Sequence, residues 1–180
     1  MNCRVGKTAS VLQCLRLTWT SCVVSTATKI WLYNSIVVSV ASCASETWKM
    51  TARIEHKLNV FHQRCLRKIL KVTYKDHITN EEILLWANSR KLSDIVTERR
   101  FRMAGHMLRL PDHRVAKVAI FWTSADGRRK TGRPKKMWCR TFQQDLQVVD
   151  FKWEEVEYVA TDSSKWRQAA ARCAQRHGRN

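Results

Sequence analysis

Between Glu98 and Arg140 the chain carries thirteen lysines and arginines: Arg99, Arg100, Arg102, Arg109, Arg114, Lys117, Arg128, Arg129, Lys130, Arg133, Lys135, Lys136 and Arg140. Three acids, Glu98, Asp112 and Asp126, stand against them, a net +10 in under a quarter of the sequence. The chemistry open to such a segment is neutralisation of phosphates, which gives tight, salt-sensitive binding without reading bases. Arg99, Arg100, Arg102 and Arg109 are candidate contacts, as is the run Arg128, Arg129, Lys130, Arg133, Lys135 and Lys136 in "RRKTGRPKKMW". Trp122 and Trp138 lie among these cations, where an aromatic can stack on an unpaired base, and both also fit helical apolar faces. Gly132-Arg133-Pro134 has the shape of a minor-groove hook. The alternative it offers is a chromatin-type A·T binder, although Thr131 stands where the hook wants Arg.

Catalytic constellations do not emerge from the spacing. Two-metal polymerase and nuclease chemistry needs closely placed carboxylates. The only adjacent acids, Glu81-Glu82 and Glu154-Glu155, sit at helix starts, where the dipole favours them. No Walker loop, G-x-S-x-G, H-E-x-x-H or dinucleotide-binding glycine pattern occurs. His106 lies in a basic helix and reads as structural. The expectation is a non-enzymatic chain with no catalytic residue, no metal site, no cofactor and no small-molecule substrate.

The whole chain of 180 residues has 33 Lys and Arg against 15 Asp and Glu, a formal charge of +18. Such an excess repels itself in a compact state, so RNA or DNA is the expected partner. Hydrophobic residues make up 44%, enough to fold. The seven cysteines are scattered without a C-x-x-C pair and read mostly as buried thiols of a reducing compartment. Residues 30–45 are uncharged but too short for a membrane span. The chain therefore reads as soluble and intracellular, nuclear or cytoplasmic, and the 128–136 cluster could serve as a nuclear address.

The elements that must position the cations are helices. Only five Gly and two Pro occur, and five of these seven fall between 105 and 134, so long stretches lack breakers. A largely buried helix is expected over 29–45, although its Val and Ile content also permits a strand. Over 51–71, Ile54, Leu58, Phe61, Cys65, Leu66, Ile69 and Leu70 make one apolar stripe, with Arg53, Lys57, Arg64, Lys68 and Lys71 off it. Arg64, Arg67 and Lys68 are this helix's candidate phosphate contacts. Thr79-x-x-Glu82 is a capping box that starts a helix through Trp86. Further helices are expected over 92–109, 113–122 (with Val115, Val118, Ala119 and Trp122 inward) and 135–149. A short one opens at 153–155, and a last one is capped by Asp162 and carries Trp166, Ala169, Ala170 and Cys173. The fold class is all-α: a helical bundle over 29–123, a basic linker over 124–134 and a small helical segment over 135–180, after an N-terminal 1–28.

Six blocks in order carry a family resemblance: "KIWLYNSIVVSVASCASETW" (29–48), "LNVFHQRCLRKIL" (58–70), "TNEEIL" (79–84), "RRFRMAGHMLRLPDHR" (99–114), "GRRKTGRPKKMWCRTFQQDL" (127–146) and "WEEVEYVATDSSKWRQAAARC" (153–173). Together they resemble the C-terminal part of reverse transcriptases of non-LTR (LINE-type) retrotransposons. The resemblance implies the thumb that follows the polymerase palm, with the extension beyond it. Residues 53–71 would then be a basic thumb helix and 99–140 a further surface for RNA or DNA. The family's aromatic-x-Asp-Asp turn, upstream Asp and endonuclease have no counterpart here, which implies a catalytically incomplete, truncated copy. Trp31, Ser42-Cys43 and Thr131 depart from the family's usual Arg, Tyr-Gly or Tyr-Ala, and Arg. Without a palm to cover it, helix 29–45 would expose apolar surface and invite self-association.

Overall fold

The computed structural model describes residues 2–121 and 138–177, with the backbone alone for residues 2–5, 176 and 177. Among the described residues every regular element is helical, so the chain is all-α. In order they are α1 (Asn2–Cys14), α2 (Arg16–Thr20), α3 (Thr26–Leu32), a π-helical turn (Tyr33–Val38), α4 (Ser39–Ala41) and α5 (Ala52–Leu70). There follow α6 (Asn80–Trp86), α7 (Leu92–Leu108), α8 (Val115–Phe121), α9 (Trp138–Val148), α10 (Val156–Thr161) and α11 (Ser163–His177). They fall into two compact units: Met1–Ala44 with Thr51–Ile95, and Ser45–Met50 with Val96–Asn180. The division lies inside α7, which the sequence reads as one uninterrupted helix.

In the first unit the core forms where α3 and α6 pack on α5. The α5 stripe is as its spacing predicts: Leu58, Cys65, Leu66 and Ile69 are buried. Its ends are set locally, by the Thr51 hydroxyl accepting from the Ile54 amide and by Lys71 in the left-handed region at φ 58°. The π turn brings Tyr33, Val37 and Val38 inward. One polar group joins this apolar face. His62 is buried on α5, with Nδ1 2.8 Å from the Tyr33 hydroxyl and Nε2 3.4 Å from Ser89 Oγ. Burial lowers its pKa to about 4 against a smaller opposing effect from the Arg90 backbone, and burial raises the Cys65 thiol beside it to about 11. The helix expected over 29–45 runs instead through α3, the π turn and α4 and ends at Ala41, and Trp31 stays exposed on it.

The second unit is an aromatic core. Phe101, Phe142 and Trp166 pack ring on ring, and Leu108, Ile120, Leu146, Val156, Ala169 and Cys173 surround them. The Trp166 indole N–H donates to the Phe101 carbonyl at 2.8 Å, so its polar edge is satisfied inside the core. Asp162 caps α11 as expected, its Oδ1 accepting from the amides of Ser164 and Lys165, both at 2.9 Å. Trp138 is a packing residue: it stacks on Phe142 and donates to the Glu46 carbonyl at 2.7 Å.

Two expectations need correction. Helix α8 turns a different face inward: Ile120 is buried, Val115 is 82% exposed and Val118 48% exposed, while Ala119 is exposed too. The reason is electrostatic as well as apolar, since the Lys117 ammonium is held by Asp112 at 2.7 Å and by Glu157 at 3.4 Å. The cysteines are also less buried than expected. Cys65 and Cys173 are core, Cys139 is half-buried, and Cys14, Cys22 and Cys43 are exposed, all six as free thiols.

Candidate nucleic-acid interface

Helix α5 carries the most regular cation row among the described residues. Arg53, Lys57, Arg64, Lys68 and Lys71 are all exposed. At 3.6 residues per turn, the steps of four, seven, four and three keep them on one stripe. The row runs about 27 Å along the axis at 1.5 Å per residue. It lies on the side of the helix away from Leu58, His62, Cys65, Leu66 and Ile69, so packing of the core face fixes where the row points. Arg67 lies beside the row and does something else. Its Nη2 donates to the Ile78 carbonyl at 2.7 Å and to Asn80 Oδ1 at 3.1 Å, clamping the segment ahead of α6. The adjacent Gln63 side chain donates to the Asn80 carbonyl at 3.2 Å. Arg67 is therefore a strut, half-buried and tied to protein oxygens.

Several described cations of the second unit are committed to the protein. Arg100 is the plain correction: it is 1% exposed, and its Nε donates to Asp145 Oδ2 at 2.6 Å. A guanidinium at that depth cannot reach a phosphate, and only its pairing makes its burial tolerable. Its position announces this. Val96, Arg100, Ala104 and Leu108 are spaced by four, so Arg100 sits in the middle of a buried stripe. Arg102 is exposed but pairs with Glu98 at 2.6 Å, and Arg109 donates to the Ala160 carbonyl at 3.0 Å. Lys117 is held between two carboxylates; its hydrogen bond to Asp112 raises its pKa and lowers that of Asp112. Arg99, Arg114 and Arg140 are exposed. A shallow cleft of about 460 Å³ beside Lys117, lined also by Arg109, Tyr158 and Glu157, mixes both signs of charge and is no phosphate track.

The remaining candidates, Arg128, Arg129, Lys130, Arg133, Lys135 and Lys136, together with Trp122 and the Gly132-Arg133-Pro134 core, lie outside the described residues. Of the candidates that are described, Arg64 and Lys68 share the α5 row, Arg99 and Arg102 are exposed on α7, and Arg109 is exposed just after it. Sequence reasoning passes over one feature next to the row, the turn Tyr74–Asp76 that follows Lys71. Its signal is Thr73-x-x-Asp76: the Thr73 amide and hydroxyl both donate to Asp76 Oδ2, at 2.6 and 2.8 Å. Among the described residues no three His, Cys, Asp or Glu side chains are placed to hold a metal ion, and no helix is long and apolar enough to cross a membrane.

The chain is similar to an uncharacterised transposon-derived protein of Caenorhabditis elegans, 21% identical over 145 residues. The match covers 77% of this chain, which spans about half (52%) of that relative's length. This likeness supports a transposon-related origin. No family model and no solved structure matches the chain.

Proposed function

We propose that this chain is the thumb and C-terminal extension of a LINE-type reverse transcriptase, a non-catalytic clamp on the backbone of RNA or DNA. The observation that carries the reading is the row Arg53, Lys57, Arg64, Lys68 and Lys71, exposed along one side of a helix whose other side is core. A line of five charges along one helix suits a polyanion of regular spacing, and contacts to the backbone carry no sequence information. The transposon-derived relative and the six ordered sequence blocks support the same origin. Arg99 and Arg102 on α7, with Arg109 just after it, are secondary contacts in this reading, since each can exchange a protein partner for a phosphate at the surface. Arg100 is not part of it.

The test is a salt titration of binding to fluorescein-labelled blunt 20-base-pair duplexes, DNA–DNA and RNA–DNA, followed by anisotropy. Five neutralised phosphates give a slope of log K against log salt of about −4 to −5, so affinity drops roughly several hundred-fold between 50 and 200 mM salt. Duplexes of unrelated sequence should bind alike. Absence of binding at 50 mM salt, or a slope near zero, overturns the reading.

A further inference from the structure

The α5 row does not end in open solvent. After Lys71 the chain enters the turn Tyr74–Asp76, and the Tyr74 side chain is 87% exposed at its tip. Only Val72 and Thr73 separate Lys71 from Tyr74, at most about 11 Å of extended chain from one Cα to the other. Lys75 flanks it, and the His77 ring stands 6.0 Å from the Tyr74 ring, tilted by 58°. An aromatic that packs on no core and projects beside a line of cations is the arrangement that stacks on an unpaired base whose backbone the cations hold.

The turn is also stiff. Lys71 and His77 bound it in left-handed conformations, at φ 58° and 49°. Between them, Asp76 is locked to the amide and hydroxyl of Thr73, and those bonds hold its carboxyl below its usual range. Beyond the turn, the Arg67 guanidinium and the Gln63 amide fasten Ile78 and Asn80 back onto α5. The loop is thus pinned to the basic helix at both ends, with Tyr74 at its crest. Pre-ordering of this kind lowers the entropy lost when a ligand is gripped.

Among the described residues the other exposed aromatics lack that setting, and Phe121 packs on the Trp153 ring at 5.4 Å. Tyr158 lies beside Glu155 and Glu157, Trp86 closes a helix that opens on Glu81 and Glu82, and Trp31 sits on a helix whose one cation, Lys29, is buried.

We propose that Tyr74, assisted by His77, is a stacking platform for an unpaired nucleotide at the end of a duplex, so that the site selects duplex with a single-stranded overhang. The inference rests on the α5 row as the backbone track, and its ligand is the first unpaired base beyond that track.

The experiment compares, across a matched salt series, a blunt duplex with the same duplex bearing a three-nucleotide overhang, using the full chain, Tyr74→Ala and Tyr74→Phe. The wild-type chain should bind the overhang duplex roughly 5- to 100-fold more tightly than the blunt one, the span that one stacked base supplies. Y74A should lose that gain while keeping its blunt-duplex affinity and salt slope, and Y74F should retain it. Equal affinity of the wild-type chain for both duplexes, or a gain untouched in Y74A, overturns the proposal. Failure of blunt-duplex binding alone would instead overturn the backbone-clamp reading, so the two failures are distinct. Tyr74 packs against no core residue, so the variants should fold; matching circular-dichroism melts confirm it.

Discussion

Arg100 on α7 and Asp145 on α9 form an ion pair at 2.6 Å whose side chains are 1% and 2% exposed. Arg100 Nη2 also reaches the Thr97 hydroxyl at 3.4 Å, while Nη1 has no hydrogen-bond partner among the described residues. Such a pair orients two helices but is costly to break. Asp145→Ala should destabilise the second unit by about 3–5 kcal/mol, because it leaves a buried guanidinium without its counter-ion. The double variant Arg100→Met with Asp145→Leu should recover most of that loss, since an apolar pair avoids desolvating two charges. Hydrogen exchange of amides in 138–148 reads both effects. The double variant should also keep the salt slope of nucleic-acid binding, and a reduced slope would return Arg100 to the interface.

The same pair marks the boundary of what the sequence makes legible. Periodicity and caps are local, so the α5 stripe, the Thr79–Glu82 box and the Asp162 cap are all visible in a window of a few residues. Partner choice is not local. The α7 stripe turns Arg100 inward, but its counter-ion stays hidden until Asp145, 45 positions on, is brought beside it. Lys117 likewise turns inward because Glu157 meets it there, which rotates α8 and leaves Val115 exposed. Arg67 differs from Arg64 and Lys68 only through the loop carbonyl that it meets. The exposed row of α5 is therefore readable in the sequence, and the subtraction of committed cations from the apparent basic surface is not.

Gly105 faces the Trp166 indole so closely that an added Cβ would stand 2.1 Å from Nε1. Gly105→Ala should therefore lower stability in spite of alanine's better helix propensity. Overpacking of this kind costs about 1–3 kcal/mol or more when the obstructing ring is itself fixed. Here it is fixed, by the bond to the Phe101 carbonyl. Trp166→Phe removes the obstructing edge, so the double variant should be less destabilised than the sum of the two single changes. Urea denaturation of the four proteins closes the cycle.

His62 gives the first unit an acid-sensitive core. The unfolded imidazole titrates near 6.5, whereas burial holds the folded one at about 4. As pH falls through that window the unfolded chain takes up the proton first, so stability is lost between 6.5 and 4 and is flat above it. The full loss is about 3 kcal/mol. Asp76, Glu82, Asp112 and Asp162 also have lowered pKa values from hydrogen bonds, so acid removes their contributions as well. The comparison that isolates His62 is the difference in urea midpoint between wild type and His62→Gln. That difference should shrink from about pH 7 to about pH 4.5. A constant difference would mean that the folded and unfolded imidazoles titrate alike, and a growing one that folding favours the protonated ring.

The α5 row and its strut should separate cleanly in binding. Arg64 and Lys68 are exposed on the row, so Arg64→Gln with Lys68→Gln should lower the magnitude of the salt slope by about 2, near 0.9 for each phosphate no longer neutralised. The weakening should be similar on duplexes of different sequence, because binding to the backbone carries no base readout. Arg67→Gln makes the contrast. Its guanidinium is tied to Ile78 and Asn80, so the slope should change by less than about 0.5. Hydrogen exchange in 72–80 should instead rise, because the loop loses its fastening to α5. If R67Q lowered the slope as much as Arg64→Gln while the loop stayed protected, the strut would be a phosphate ligand after all, and the row would be one residue wider than the exposed stripe.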